Sequence, residues 1–175
     1  MAAVDFITAL GRLLRDGALR DALAAQPRAV AAQLGVLASD RAALLELDQE
    51  DLEFQARVLL RKRLDAVRRV IPQTCRQLDT QAWPNFLRYA RTTWADGENP
   101  TAQDAFGFCR FLEQRNASAL CPAEWHRLQF ALSKQRFAIH RVRWRTKQGK
   151  TRPALQFLLR PAPNRWREWL IYFAV

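Results

Sequence analysis

Two histidines and three cysteines are the whole stock of imidazole and thiol groups in these 175 residues. His126 falls in a helical pattern and His140 in an alternating, strand-like one. Neither has a Cys, Asp or Glu at the spacing that would let one chain build a zinc or iron site. Cys121 and His126 are close enough in sequence to form a nucleophile and base. The simpler reading of Cys75, Cys109 and Cys121 is as small core residues, with Cys109 on an apolar helix face. Their odd number and the lack of a C-x-x-C pair speak against a disulfide framework and for a reducing, cytoplasmic setting. No G-x-S-x-G elbow, phosphate-cradling loop or dinucleotide fingerprint occurs, and the chain has six glycines in all. Acid pairs such as Glu50 and Asp51 stand at a helix start, where the helix dipole accounts for them. The residues thus suggest no catalytic set and no metal site within this chain.

What the sequence does supply is suited to binding. Residues 136–175 hold ten Lys/Arg and a single acid, Glu168, while residues 1–135 hold 18 Lys/Arg against 16 Asp/Glu. Nearly all of the formal net charge of +11 therefore sits in the last forty residues. Five aromatic residues, Trp144, Trp166, Trp169, Tyr172 and Phe173, fall among those arginines. A second basic stretch includes Arg57, Arg61 and Arg68 on a helix. Its simplest reading is a solvated face; a docking or nucleic-acid surface is the alternative.

These residues need elements to hold them. Phe6, Leu10 and Leu13/Leu14 mark a first helix, with Gly17 as its stop. A short helix follows over 18–25, and another runs from Pro27 to Gly35. Ser39 is the expected cap of a short turn through Leu47. The strongest helical pattern is 48–71. Asp48 caps it, Leu52, Ala56, Leu60, Leu64, Val67 and Ile71 form one apolar stripe, and Pro72 ends it. Further helices are expected over 82–94, from Thr101 as cap through Glu113, and from Pro122 to about Lys134.

After residue 135 the period drops from about four to two. Phe137, Ile139, Arg141 and Arg143 alternate with Ala138, His140, Val142 and Trp144. Turn signals at 147–150 and 161–164 separate this run from strands over 154–160 and 166–174. The connections are too short for parallel crossovers, so an antiparallel meander is expected. The predicted fold is α+β: an N-terminal helical bundle followed by a C-terminal three-stranded antiparallel sheet. The expected domains are 1–120, for docking a partner, and 121–175, for binding a peptide. No apolar run approaches the length of a membrane span, and the N-terminus has no basic leader.

The order of features resembles the methanobactin biosynthesis cassette protein C family. The likeness lies in DFITALGRLLRDGALRDAL, EDLEFQARVLLRKRLDAVRRVIPQT, WPNFLRYARTTW, DAFGFCRFLEQR and the terminal RFAIHRVRWR, ALQFLLR and WREWLIYF. It covers most of the chain but contains no short diagnostic motif. The resemblance implies a non-catalytic subunit of a heterodimer. Its partner would be a multinuclear non-haem iron oxidase that holds the iron, so no cofactor is expected in this chain. The partner would convert cysteine of a ribosomal precursor peptide to an oxazolone and thioamide, using O₂. This chain would recruit the precursor's leader, with no membrane involved. A nucleic-acid-binding regulator is the alternative.

From the sheet itself, the candidate peptide-binding residues are Arg141, Arg143, Trp144, Trp166, Trp169, Leu170, Ile171, Tyr172 and Phe173. Arg57, Arg61 and Arg68 are the candidates for partner docking. A terminal strand at a sheet edge would suit β-augmentation, and a proline at Ile171 would remove a backbone donor from it.

Overall fold

In the computed structural model, residues 3–115, 118–145, 150–163 and 165–173 are described. The helices are α1 (Phe6–Arg15), α2 (Gly17–Ala25), α3 (Pro27–Leu34), α4 (Arg41–Leu45), α5 (Gln49–Val70), α6 (Pro72–Leu78), α7 (Ala82–Ala90), α8 (Pro100–Gln114) and α9 (Pro122–Leu132). The strands β1 (Phe137–Arg145), β2 (Thr151–Ala162) and β3 (Arg165–Tyr172) form one antiparallel sheet in the order β1-β2-β3. The α+β class and the meander are as the periodicity indicates. The turn signals at 147–149 and at Asn164 lie outside the described residues.

The chain forms two compact units that interleave along the sequence. The first is 1–64 with 86–94; the second is 65–85 with 95–175. A single cut at 120/121 does not describe this division, because α5 and α7 each contribute residues to both units.

Among the described residues, the first unit is built of helices, with one isolated parallel bridge between Val4 and Val36. Asp5 caps α1 by accepting from the Thr8 N–H at 2.7 Å, and Asp16 caps α2 through Ala18 and Leu19. Asp48 caps α5 through Glu50 at 2.7 Å and Asp51 at 3.0 Å, as its position in the sequence suggests. Leu13, Leu23, Val30, Leu34, Leu44 and Leu52 are buried together in one core. Arg20 is buried with them, donating to Glu53 at 2.7 Å and to the Leu13 carbonyl at the end of α1. Gly17 is not the stop expected of it. It opens α2, and its N–H donates to the Arg91 carbonyl at 2.7 Å. Glycine is needed there for close approach, since a Cβ would lie 2.8 Å from Arg91 Cγ and 3.0 Å from Arg91 O. Nor does Ser39 cap α4: Asp40 stands at that position, and the Ser39 hydroxyl donates to its carboxylate.

In the second unit, Pro72 does end α5, but it also opens α6, a helix without apolar periodicity. The N-terminus of α6 is closed from far away in sequence. The buried carboxylate of Glu124 accepts the N–H groups of Gln73 at 2.7 Å and Thr74 at 2.8 Å. Asn99, and not Thr101, caps α8, because Pro100 takes the first helical position. One face of the sheet lies against α9. Gln156, fully buried in β2, donates to the Ala123 carbonyl at 2.8 Å and to Glu168 on β3 at 2.6 Å. Glu168 also faces Arg127 on α9, whose second nitrogen donates to the Val70 carbonyl at the end of α5. Arg160 of β2 donates to the Phe130 carbonyl at 2.6 Å, placing a cation at the C-terminal end of α9. These bonds tie the sheet to α9 on one side and leave its other side facing outward.

Candidate functional site

The outward face of the sheet is built by strand parity and register. On β1 the outward residues are Phe137, Ile139, Arg141 and Arg143, all exposed, while Ala138, His140, Val142 and Trp144 face α9. On β2 Pro153, Leu155, Phe157 and Leu159 face outward, against buried Ala154, Gln156 and Leu158. On β3 Arg165, Arg167, Trp169 and Ile171 face outward and alternate with half-buried Trp166, Glu168 and Leu170.

The register then sets neighbours across the sheet. Phe137 stands beside Leu159 and Leu159 beside Arg167. Ile139 stands beside Phe157 and Phe157 beside Trp169. Arg141 stands beside Leu155 and Leu155 beside Ile171. Arg143 stands beside Pro153, whose carbonyl accepts the Phe173 N–H at 3.3 Å. The result is an apolar surface with large side chains in the open: Phe137 is 55% exposed, Ile171 53%, Ile139 48% and Trp169 44%. Single exposed apolar residues are ordinary, but a contiguous group of this kind marks an interaction surface.

The same register identifies the backbone groups at the sheet's margins. The Phe173–Pro153 bond makes that a hydrogen-bonded pair, and such pairs recur at every second residue of an antiparallel ladder. Ile171 and Trp169 therefore direct their backbone groups toward β2. Leu170 and Tyr172 direct theirs to the outer margin of β3, where no strand pairs with them among the described residues. On β1, Arg160 donates to the Arg136 carbonyl at 2.8 Å, so by the same alternation Phe137, Ile139, Arg141 and Arg143 present their backbone to the other margin. Arginines occupy half of that margin, a common way to blunt an edge. The margin of β3 between Leu170 and Tyr172 has no charged side chain.

The residues singled out from the sequence divide between the two faces. Arg141, Arg143, Trp169, Ile171 and Phe173 are exposed on the outward side. Trp144 and Leu170 pack on a small core of Cys121, Ala123, Val142 and Ala154, and Trp166 meets Phe130 edge-on at 6.4 Å. Tyr172 has their parity but is exposed at the strand's end. Phe137, Ile139, Leu155, Phe157 and Leu159 complete the outward face; their alternation was visible in the sequence, but their grouping depends on the register. On α5, Arg57 and Arg61 are exposed in the first unit, while Arg68, exposed in the second, pairs with Asp65 at 3.1 Å.

A family model described as SCO6045-like, C-terminal domain, matches residues 28–114. That stretch, just under half of the chain, is similar to the domain; it runs from α3 to α8 and stops short of the sheet. No curated protein and no solved structure gives a significant match to the chain.

The thiols are poorly placed for chemistry. Burial raises Cys75 to about 11, with Glu124 adding to the rise. Burial raises Cys109 and Cys121 as well. The Cys121 thiol lies 3.8 Å from Gln73 Oε1 and not against His126. Protonated, enclosed thiols are weak nucleophiles. His126 instead stacks on His140, an association between two distant elements that residue spacing does not reveal. Among the described residues, no helix is long and apolar enough to cross a membrane.

Proposed function

We propose that this chain is a non-catalytic, peptide-binding subunit of a heterodimeric, iron-dependent oxidase that modifies a ribosomal precursor peptide. The observation that carries the reading is the margin of β3. It offers unpaired backbone groups at Leu170 and Tyr172 beside exposed Trp169, Ile171 and Phe173. An extended leader segment would add there as a fourth strand, with main-chain hydrogen bonds giving affinity and alternate side chains giving selectivity. The surrounding arginines favour a leader bearing carboxylates. The partner holds the iron and oxidises cysteine to oxazolone and thioamide with O₂; this chain supplies recruitment. The resemblance to the methanobactin biosynthesis cassette protein C family supports that choice of partner and substrate. Arg57, Arg61 and Arg68 are the proposed oxidase-docking residues.

The test is to read the neighbouring open reading frames for an iron oxidase and a short cysteine-containing peptide, co-express that oxidase with this chain, and incubate the pair with the peptide. The two chains should co-elute, iron should follow the oxidase, and the precursor should be oxidised only when both are present. Full oxidation without this chain would overturn the reading. So would tight, sequence-selective binding of duplex DNA at about 0.15 M salt, where non-specific phosphate contacts are weak.

A further inference from the structure

The outward face carries a pattern that the backbone margin does not explain. Its apolar residues run along a diagonal band, from Phe137 and Ile139 on β1, across Leu155, Phe157 and Leu159 on β2, to Trp169 and Ile171 on β3. The other two corners are basic: Arg141 and Arg143 on β1, Arg165 and Arg167 on β3. An apolar stripe thus lies between two pairs of arginines. Four residue steps along the strands and two strand spacings across give a diagonal of about 16 Å, the length of a helix of about 11 residues. We propose that this face docks an amphipathic α-helix of a partner protein, with Asp or Glu along both borders of its apolar stripe.

Charge complementarity selects this occupant. A second copy of the chain fits badly: laying one apolar diagonal on another also lays arginine pairs on arginine pairs. Crossing the diagonals would bury the arginines against apolar corners without partners. Single-stranded RNA could stack on the rings, but branched aliphatic side chains lie between them. Among the described outward residues Thr151, at the end of β2, is the one hydroxyl, and no Asn, Gln or Ser stands there to read base edges. An anionic bilayer would also attract the arginines, and vesicle binding separates it from a helix. This docking uses side chains of the face, and it stands whether or not the margin of β3 takes a peptide.

The probe is a labelled synthetic helix of about 16 residues with a Leu/Ile stripe and Glu on both borders, beside a control with Lys on both borders. Fluorescence anisotropy with the full chain at about 0.15 M salt should show the acidic helix binding at least tenfold tighter than the basic one. Arg141→Glu, Arg143→Glu, Arg165→Glu and Arg167→Glu together should invert that preference. Should the fourfold variant not fold, Arg141→Glu with Arg143→Glu should abolish the preference. Ile139→Ser with Ile171→Ser should weaken the acidic helix at least tenfold with the circular dichroism unchanged. Leu170→Pro, which alters the backbone margin, should leave helix binding intact. Equal or absent binding of the two helices overturns the proposal, as does failure of charge reversal in a folded variant. Tighter binding of oligouridine or phosphatidylserine vesicles also overturns it, as does a wild-type dimer that Ile171→Ser converts to monomer.

Discussion

The imidazole rings of His126 on α9 and His140 on β1 stack with their centroids 3.8 Å apart and their planes 17° from parallel. Burial lowers the pKa of both; the neighbouring His140 lowers His126 further, while Gln156 works weakly the other way. Two cations at this distance would repel each other. In the unfolded chain both rings titrate near about 6.5. Below that value the unfolded chain takes up protons before the folded one, so stability falls as pH falls. Melting temperature should drop between about pH 7.5 and about pH 5.5. His140→Phe keeps a ring in the stack and should reduce that drop. An unchanged pH slope in this variant would show that the pair does not titrate as argued.

Glu124 reaches across 51 residues of sequence to hold the first turn of α6. Glu124→Ala would leave the Gln73 and Thr74 N–H groups buried without acceptors, at a cost of about 3 kcal/mol. Glu124→Gln retains one acceptor and should cost roughly half as much. Chemical denaturation should rank wild type, Glu124→Gln and Glu124→Ala in that order.

That distant cap also explains what the sequence concealed. The stripe from Leu52 to Ile71 was legible because every fourth or third residue is apolar, and all six of those residues are buried. The strands were legible because β1 alternates cleanly. Helix α6 was not, because its buried residues include Gln73, Thr74 and Cys75, and its start depends on Glu124. The site was half legible. Parity separated Ile171 from Leu170, but only α9, lying against one side, decides that Trp144 and Leu170 turn inward while Ile139 and Ile171 remain outside.

The raised thiols have a direct chemical readout. At about pH 8 the ordinary thiol is partly ionised, whereas Cys75, Cys109 and Cys121 are held protonated and buried. A thiol reagent should label none of the three rapidly in the native protein and all three once guanidinium unfolds it. Rapid native labelling of Cys121 would revive the nucleophile reading.

Gly17→Ala tests the close approach within the first unit. The added Cβ meets the Arg91 carbonyl as well as its side chain, and backbone cannot give way as a flexible side chain can. The expected loss is about 1–3 kcal/mol, despite the higher helix propensity of alanine. Gly11→Ala, with nothing within 4 Å of the new carbon, is the control and should be neutral or stabilising.

A proline pair separates the ladder of β3 from its outer margin. The sequence alone recommended proline at Ile171, but the register gives the Ile171 N–H to β2, opposite Leu155. Ile171→Pro therefore removes a bond that holds the sheet together, and should cost about 1–2 kcal/mol before any partner is considered. The Leu170 N–H is directed to the unpaired margin, so Leu170→Pro leaves the β2–β3 bonds in place and removes a donor that an added strand would use. Its own cost comes from packing, since Leu170 rests on the core around Val142. Leu170→Ala controls for that loss while keeping the N–H. Strand addition requires that Leu170→Pro lose precursor binding at least tenfold relative to Leu170→Ala, with both variants folded by circular dichroism. Equal binding by the two would place recognition on side chains alone and remove the backbone margin of β3 from the mechanism.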